Sequence, residues 1–185
     1  RYYFAMLKNC RPWLILANAH LRVADLQALL DRFGSVAAAA NQPRSRLAET
    51  GLSDEKCAAI TSPDEQAVAQ ALAWLEHDHH HLITWGDEAY PELLAQVPGP
   101  PLVLYVNGSI DVLHLPALAI IGSRNPTQGG NRNAHDFAAY LAGRGFAIVS
   151  GLAQGIDAAA HQGALDAGGK TVAFLGTGID RIYPA

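Results

Sequence analysis

Cysteine is nearly absent from the 185 residues: Cys10 and Cys57 are far apart and in unrelated surroundings. This excludes a disulfide framework and a thiolate metal cluster, and it fits a reducing cytoplasm. Charge is also scarce, at 16% of residues against 50% apolar, which is the reverse of a disordered composition. No apolar run approaches the roughly 20 residues of a membrane helix. Residues 1–10 have no basic stretch leading into a long apolar one, so no secretory signal is expected. Positive charge is lacking as well. The net charge is −4, the acidic excess falls within residues 1–110, and residues 111–185 carry five charges of each sign. General electrostatic grip on a polyanion is therefore not expected, and any such binding must rest on a few placed groups and backbone N–H donors, or on residues beyond Ala185.

What the chain does have is helical periodicity, over residues 12–78. Leu26, Leu29, Leu30 and Phe33 recur at helix spacing, and Gly34 reads as a C-cap before a short helix from Val36 to Ala40. Ser53 reads as one helix start, and Ser62 as an N-cap with Pro63 at the first helical position as another. Val68, Leu72 and Leu75 then line one face. Short helices with tight turns suit a small DNA-associated module or, more commonly, a plain packing domain. Residues 84–116 are a proline-rich connection containing a short β-type run from Leu102 to Val106 that ends at Asn107-Gly108. The organisation expected is thus a helical domain over 1–83, a connecting segment over 84–116 and an α/β domain over 117–185.

From Ala117 onward, three continuous apolar runs occur at residues 117–121, 146–149 and 171–175, each followed by glycine. Continuous rather than alternating runs predict strands of a parallel sheet buried on both faces. Their starts lie about 29 and 25 residues apart, the length of right-handed βαβ units. Ala134, Phe137, Ala138 and Leu141 form one helical stripe between them, and Ile156, Ala159, Ala160 and Ala164 form another. Phe137 and Phe146 read as core residues. The fold class expected is α/β: a small N-terminal helical domain followed by a partial Rossmann-like parallel sheet.

The chemistry should lie at the carboxyl ends of these strands, where open α/β sheets bind ligands. The loops are Gly122-Ser123-Arg124, then Ser150-Gly151-Leu152-Ala153-Gln154-Gly155, then Gly176-Thr177-Gly178. Glycine lets backbone amides approach a ligand, and the following helix adds its positive dipole end, so a phosphate-bearing ligand is expected. Arg124 is a candidate phosphate clamp, with a salt bridge to a neighbouring carboxylate as the alternative. Asp157, at the start of the second helix, reads as a cap for backbone amides. His161, four residues on, reads as a packing residue with an internal hydrogen bond. Lys170 reads as a solvated charge at the far edge of the sheet. His77-Asp78-His79-His80-His81 has metal-ligand composition, but adjacent side chains diverge and no partner cluster is visible, so no metal site is expected. No catalytic centre is visible either.

The strings IGSRNPTQGG (121–130) and VSGLAQGIDAAAHQGALDAGGKTVAFLGTGIDRIYP (149–184) resemble the DNA-processing protein A family, also called DprA or Smf. TWGDEAYPELLAQVPGPPLVLYVNG (84–108) resembles that family's approach to its core domain, and residues 12–78 resemble its SAM-like domain through weaker motifs. The resemblance implies a protein that binds single-stranded DNA, protects incoming DNA and loads the RecA recombinase in natural transformation. It further implies a homodimer in the full-length family, no cofactor and no membrane. For the site it implies that Gly122, Ser123 and Arg124 contribute to the DNA pocket, with the Ser150, Gly151, Leu152, Ala153 and Gly155 loop supplying amide donors and Gly176, Thr177 and Gly178 closing the third strand. The family continues past the YP motif with further strands, so a missing C-terminal part and weak affinity of this chain by itself are expected.

Two other functions remain open. A phosphoribohydrolase-like enzyme would need a PGGxGT-like element with its glutamate, which these residues lack. A nucleotide or dinucleotide module would need G-x-G-x-x-G in the first loop and an acidic residue closing the second strand, and neither is present.

Overall fold

The computed structural model describes residues 2–176, with side chains from Cys10 onward. The chain divides into two compact units, Arg1–Ile110 and Asp111–Ala185. In the first, helix α1 (Tyr2–Asn18) packs against α3 (Val36–Ala40), α5 (Asp54–Thr61) and α6 (Glu65–Trp74), while α2 (Val23–Phe33) meets α3 and α4 (Arg44–Ala48) meets α5. Leu14, Leu16, Leu26, Leu29, Leu47, Cys57, Ile60 and Val68 form the dry centre. Gly34 caps α2 with φ of 78° and donates to Leu30 O, and Ser53 Oγ accepts from Lys56 N at the start of α5. The cap of α6 differs from expectation. Ser62 still closes α5 by donating to Ala58 O, so Asp64 takes the cap, its carboxylate accepting from Ala67 N at 3.0 Å.

The proline-rich stretch contributes a strand to this unit. β1 (His80–Thr84) pairs antiparallel with β2 (Val103–Asn107), and the short α7 (Glu92–Ala95) lies between them. Thr84 N and Oγ1 both donate to Asp87 Oδ2, and Tyr90 Oη donates to Pro101 O at 2.8 Å, which pins the loop to itself. The histidine run falls at the start of β1. His80 stacks on Trp74 with ring centroids 3.9 Å apart, and its Nδ1 donates to Trp74 O. Among the described residues, no group of three or more His, Cys, Asp or Glu is placed to hold a metal, and no helix is long and apolar enough to cross a membrane.

In the second unit β3 (Ala117–Ala119), β4 (Ala147–Ser150) and β5 (Lys170–Ala173) form a parallel sheet in that order, with Leu118 opposite Ile148 and Ile148 opposite Thr171. Two crossovers running in the same direction put α8 (Gln128–Ala142) and α9 (Ile156–Asp166) on one face, packed on each other. Their seam is made of small residues. A Cβ on Gly163 would lie 2.1 Å from His135 O, and Ala138, Ala142, Ala160 and Ala164 are buried there. Two expectations are corrected. Phe137, read as core, is 65% exposed, because with Ala134 and Leu141 it lines an open hollow beside residues 118–121 at the β3 edge rather than the seam. Phe146 is half-buried. Burial holds for the central strand β4, where all but the half-buried Val149 are buried, but not for β3, whose Ala117, Leu118 and Ala119 are all exposed, nor for β5, which has no buried residue, because these two are the edges of the three-stranded sheet.

Candidate nucleic-acid interface

The tips of β3 and β4 are joined by their own hydrogen bonds. Ile120 N donates to Val149 O, Ser150 Oγ donates to Ile120 O at 2.6 Å, and Phe174 N donates to Ser150 O. Beyond them the chain turns at Gly122, Ser123 and Arg124. Ser123 Oγ accepts from Asn125 N at 3.1 Å, while Ser123 O accepts from Ile156 N at the start of α9. Gly155 sits against this turn with φ of 86°. A Cβ there would lie 2.3 Å from Ser123 O and 2.9 Å from the Arg124 carbonyl carbon, so only glycine permits the contact. A Cβ on Gly122 would fall 2.8 Å from the Ile156 side chain.

Asp157 lies beneath both loops. One carboxylate oxygen accepts from Gly122 N at 3.3 Å and the other from Gly151 N at 3.1 Å, and the side chain is 6% exposed. This alters the expected chemistry of the loops. The amides of Gly122 and Gly151 point inward to a carboxylate, Ile156 N is taken by Ser123 O and Ala158 N by Ala153 O. What faces outward is different: Ser123, Arg124, Gly151, Leu152 and Gly176 are exposed, and Ala153 and Gly155 are half-buried. Leu152 takes a left-handed φ of 56° with 53% of its surface open, an arrangement uncommon for a leucine. Thr177 and Gly178 lie outside the described residues.

Sequence reasoning missed two features of this edge. Thr127 caps α8 by accepting from Gly130 N at 3.0 Å, and the first turn of α8 carries no acidic residue, unlike α9 with Asp157. The string Asn125-Pro126-Thr127 was the available signal. Phe174, one residue past β5, is 46% exposed at the same edge. Its place two residues before Gly176 could have marked it.

Behind the tips, His161 Nδ1 lies 2.6 Å from Thr171 Oγ1, whose own proton goes to Ile148 O at 2.8 Å, so Nδ1 carries the hydrogen. Burial pushes this imidazole below its ordinary value, against the pull of the Asp157 charge, and Nε2 has no hydrogen-bond partner among the described residues. It ties α9 to β5 as a packing group. Lys170 is exposed at the opposite end of β5 from the loops.

A parallel sheet with turned glycine loops along its carboxyl edge, preceded by helices, is a Rossmann-like α/β protein. Comparison with known proteins is more specific. The model of the family described as DNA recombination-mediator protein A matches residues 81–185, and the chain belongs to that family. Protein Smf of Escherichia coli K12 is 39% identical over 138 residues, covering 75% of this chain and 37% of its own. The putative DNA processing protein DprA of Mycobacterium tuberculosis H37Rv is 37% identical over 191 residues, covering 96% and 48%. Among solved structures, DNA processing protein A of Streptococcus pneumoniae superposes with a TM-score of 0.72 at 28% identity, covering 92% of this chain and 58% of that one. The Helicobacter pylori protein, solved to describe its single-stranded DNA binding mode, gives 0.50 at 34% identity over 58% and 48%. The chain spans less than half the length of these curated relatives.

Proposed function

We propose that this chain is the DNA-binding portion of a recombination mediator that takes single-stranded DNA at the carboxyl edge of the β3-β4-β5 sheet, shields it and hands it to the RecA recombinase, acting as a homodimer in the full-length protein. The observation that carries the reading is the exposed turn of Gly122, Ser123 and Arg124, locked in place from behind by Asp157 and Gly155. Such a turn carries one exposed arginine, whose guanidinium suits a phosphate without reading a base. Gly176 extends the exposed edge on the β5 side, and Thr177 and Gly178, next in the sequence, are assigned to the same interface. Leu152 and Phe174 offer apolar and aromatic surface for unstacked bases, and neither is selective among them. The role proposed is binding rather than catalysis.

Fluorescence anisotropy with labelled oligo-dT tests this. Arg124→Ala should weaken binding about tenfold, the worth of one charge-assisted contact, in a variant whose thermal melt shows that it stays folded at the assay temperature. Unaltered affinity in the variant would move the site elsewhere. Release of free base from nucleoside monophosphates by a protein that ignores DNA would replace the proposal with an enzymatic one.

A further inference from the structure

Asp157 has a second consequence, independent of DNA. In α/β sheets of this kind, the amides at the strand tips and the first turn of the following helix normally receive a ligand's phosphate. Here the equivalent place at the tips of β3 and β4 already contains an anion belonging to the chain. The Asp157 carboxylate accepts one amide from each loop at 3.3 and 3.1 Å and is 6% exposed, so no second anion fits beside it. The neighbouring amides are closed in the same way, Ile156 N by Ser123 O and Ala158 N by Ala153 O. The approach is filled too, since Gly155 lies against the Ser123 and Arg124 backbone and Gly122 against Ile156.

We propose that Asp157 is a built-in occupant of the anion seat of this fold and so acts as a specificity residue: it makes the domain refuse the phosphate of free nucleotides and dinucleotides. Like charges in so confined a space repel strongly, and a phosphate would also have to displace two hydrogen bonds. Where the reading of a DNA interface holds, the strand's phosphates are met farther out by side chains such as Arg124, and cellular nucleotides do not compete for them. The seat itself is intact beneath the carboxylate, so deleting the carboxylate should convert it into a site for small oxyanions.

The test uses no DNA, so its failure is separate from failure of the DNA reading. In the unaltered protein, the amide resonances of Gly122 and Gly151 should stay fixed during titration with inorganic phosphate and with AMP. Saturable movement of either would overturn the proposal. Asp157→Ala should melt lower than the parent in chloride, and formate or phosphate at matched ionic strength should raise its melting temperature saturably by about 3 °C, as ligand linkage requires. Asp157→Asn, which keeps the seat filled, should show no such rescue. A folded Asp157→Ala indifferent to formate and phosphate would sink the idea. Should that variant stay unfolded in every anion, the titration of the unaltered protein decides alone.

Discussion

Asp25 shows how one carboxylate can organise a helical unit. It accepts from Arg22 N at 2.8 Å in a capping box and from Lys56 Nζ at 2.6 Å, joining the start of α2 to α5, and the pair is 14% and 22% exposed. Burial pushes its carboxyl up, but the bonds from Lys56 and from Arg22 outweigh that and hold it below the ordinary carboxylate range. A group depressed in this way adds stability that is complete above its unfolded value and lost as pH falls through the folded one. Lys56→Met should therefore cost about 1–2 kcal/mol near neutral pH. The gap between variant and parent in urea melts should narrow only below about pH 3.9, where the unfolded carboxyl protonates. A gap that persists unchanged at about pH 2 would show that packing of the lysine stem, not the ion pair, is what matters. Other residues were legible for similar local reasons: Gly34 takes the left-handed conformation that closes α2, and the Ser53 hydroxyl accepts from the first-turn amide of Lys56. Ser62 was not, because Asp64 two residues on competes for the same task.

At the scale of elements, the seam between α8 and α9 decides the geometry of the edge, since both helices leave from its loops. Gly163 faces His135 O so closely that Gly163→Ala must part the helices, at a cost of about 3 kcal/mol by the rule for overpacked cores. Gly129→Ala in the first turn of α8 is the control. Its nearest neighbour would be Thr127 Oγ1 at 3.9 Å, so the gain in helix propensity should stabilise by about 0.5–1 kcal/mol. Opposite signs in thermal melts are the expected outcome, and equal losses would deny the close seam. This seam also explains where periodicity failed. The spacing of Ala134, Phe137, Ala138 and Leu141 located a helix and its inner face, but a pattern of apolar residues carries no information on the distance to the partner helix. At the separation Gly163 allows, alanines fill the seam, while Phe137 lies toward the β3 edge, where it stays open among the described residues. The three strands and their order of appearance were legible because continuous apolar runs ending in glycine have few other solutions. Their coverage was not, because burial of β3 depends on what lies beside it.

For the molecule as a whole, charge distribution sets how the edge can hold a polyanion. Residues 111–185 carry five basic residues against five acidic. Arg144 is drawn onto the Tyr140 ring, 3.3 Å from its centroid, and donates to Tyr140 O, while Lys170 lies at the opposite end of β5 from the loops. Among the described residues, the basic side chains toward the carboxyl edge are Arg124 in the first loop and Arg132 in the second turn of α8. Each phosphate neutralised on a single strand contributes about −0.7 to the slope of log affinity against log salt. Two contacts therefore give a slope of about −1.4, shallow beside that of a basic DNA-binding protein, and Arg124→Ala should bring it to about −0.7. The inward-turned amides reinforce this, because Asp157 has removed the backbone donors that would otherwise add contacts. Anisotropy with oligo-dT from low to moderate salt measures the slope directly. A value steeper than about −3 would require more than four phosphates at about −0.7 each, more than this edge can meet, and would place the strand on a different surface of the chain.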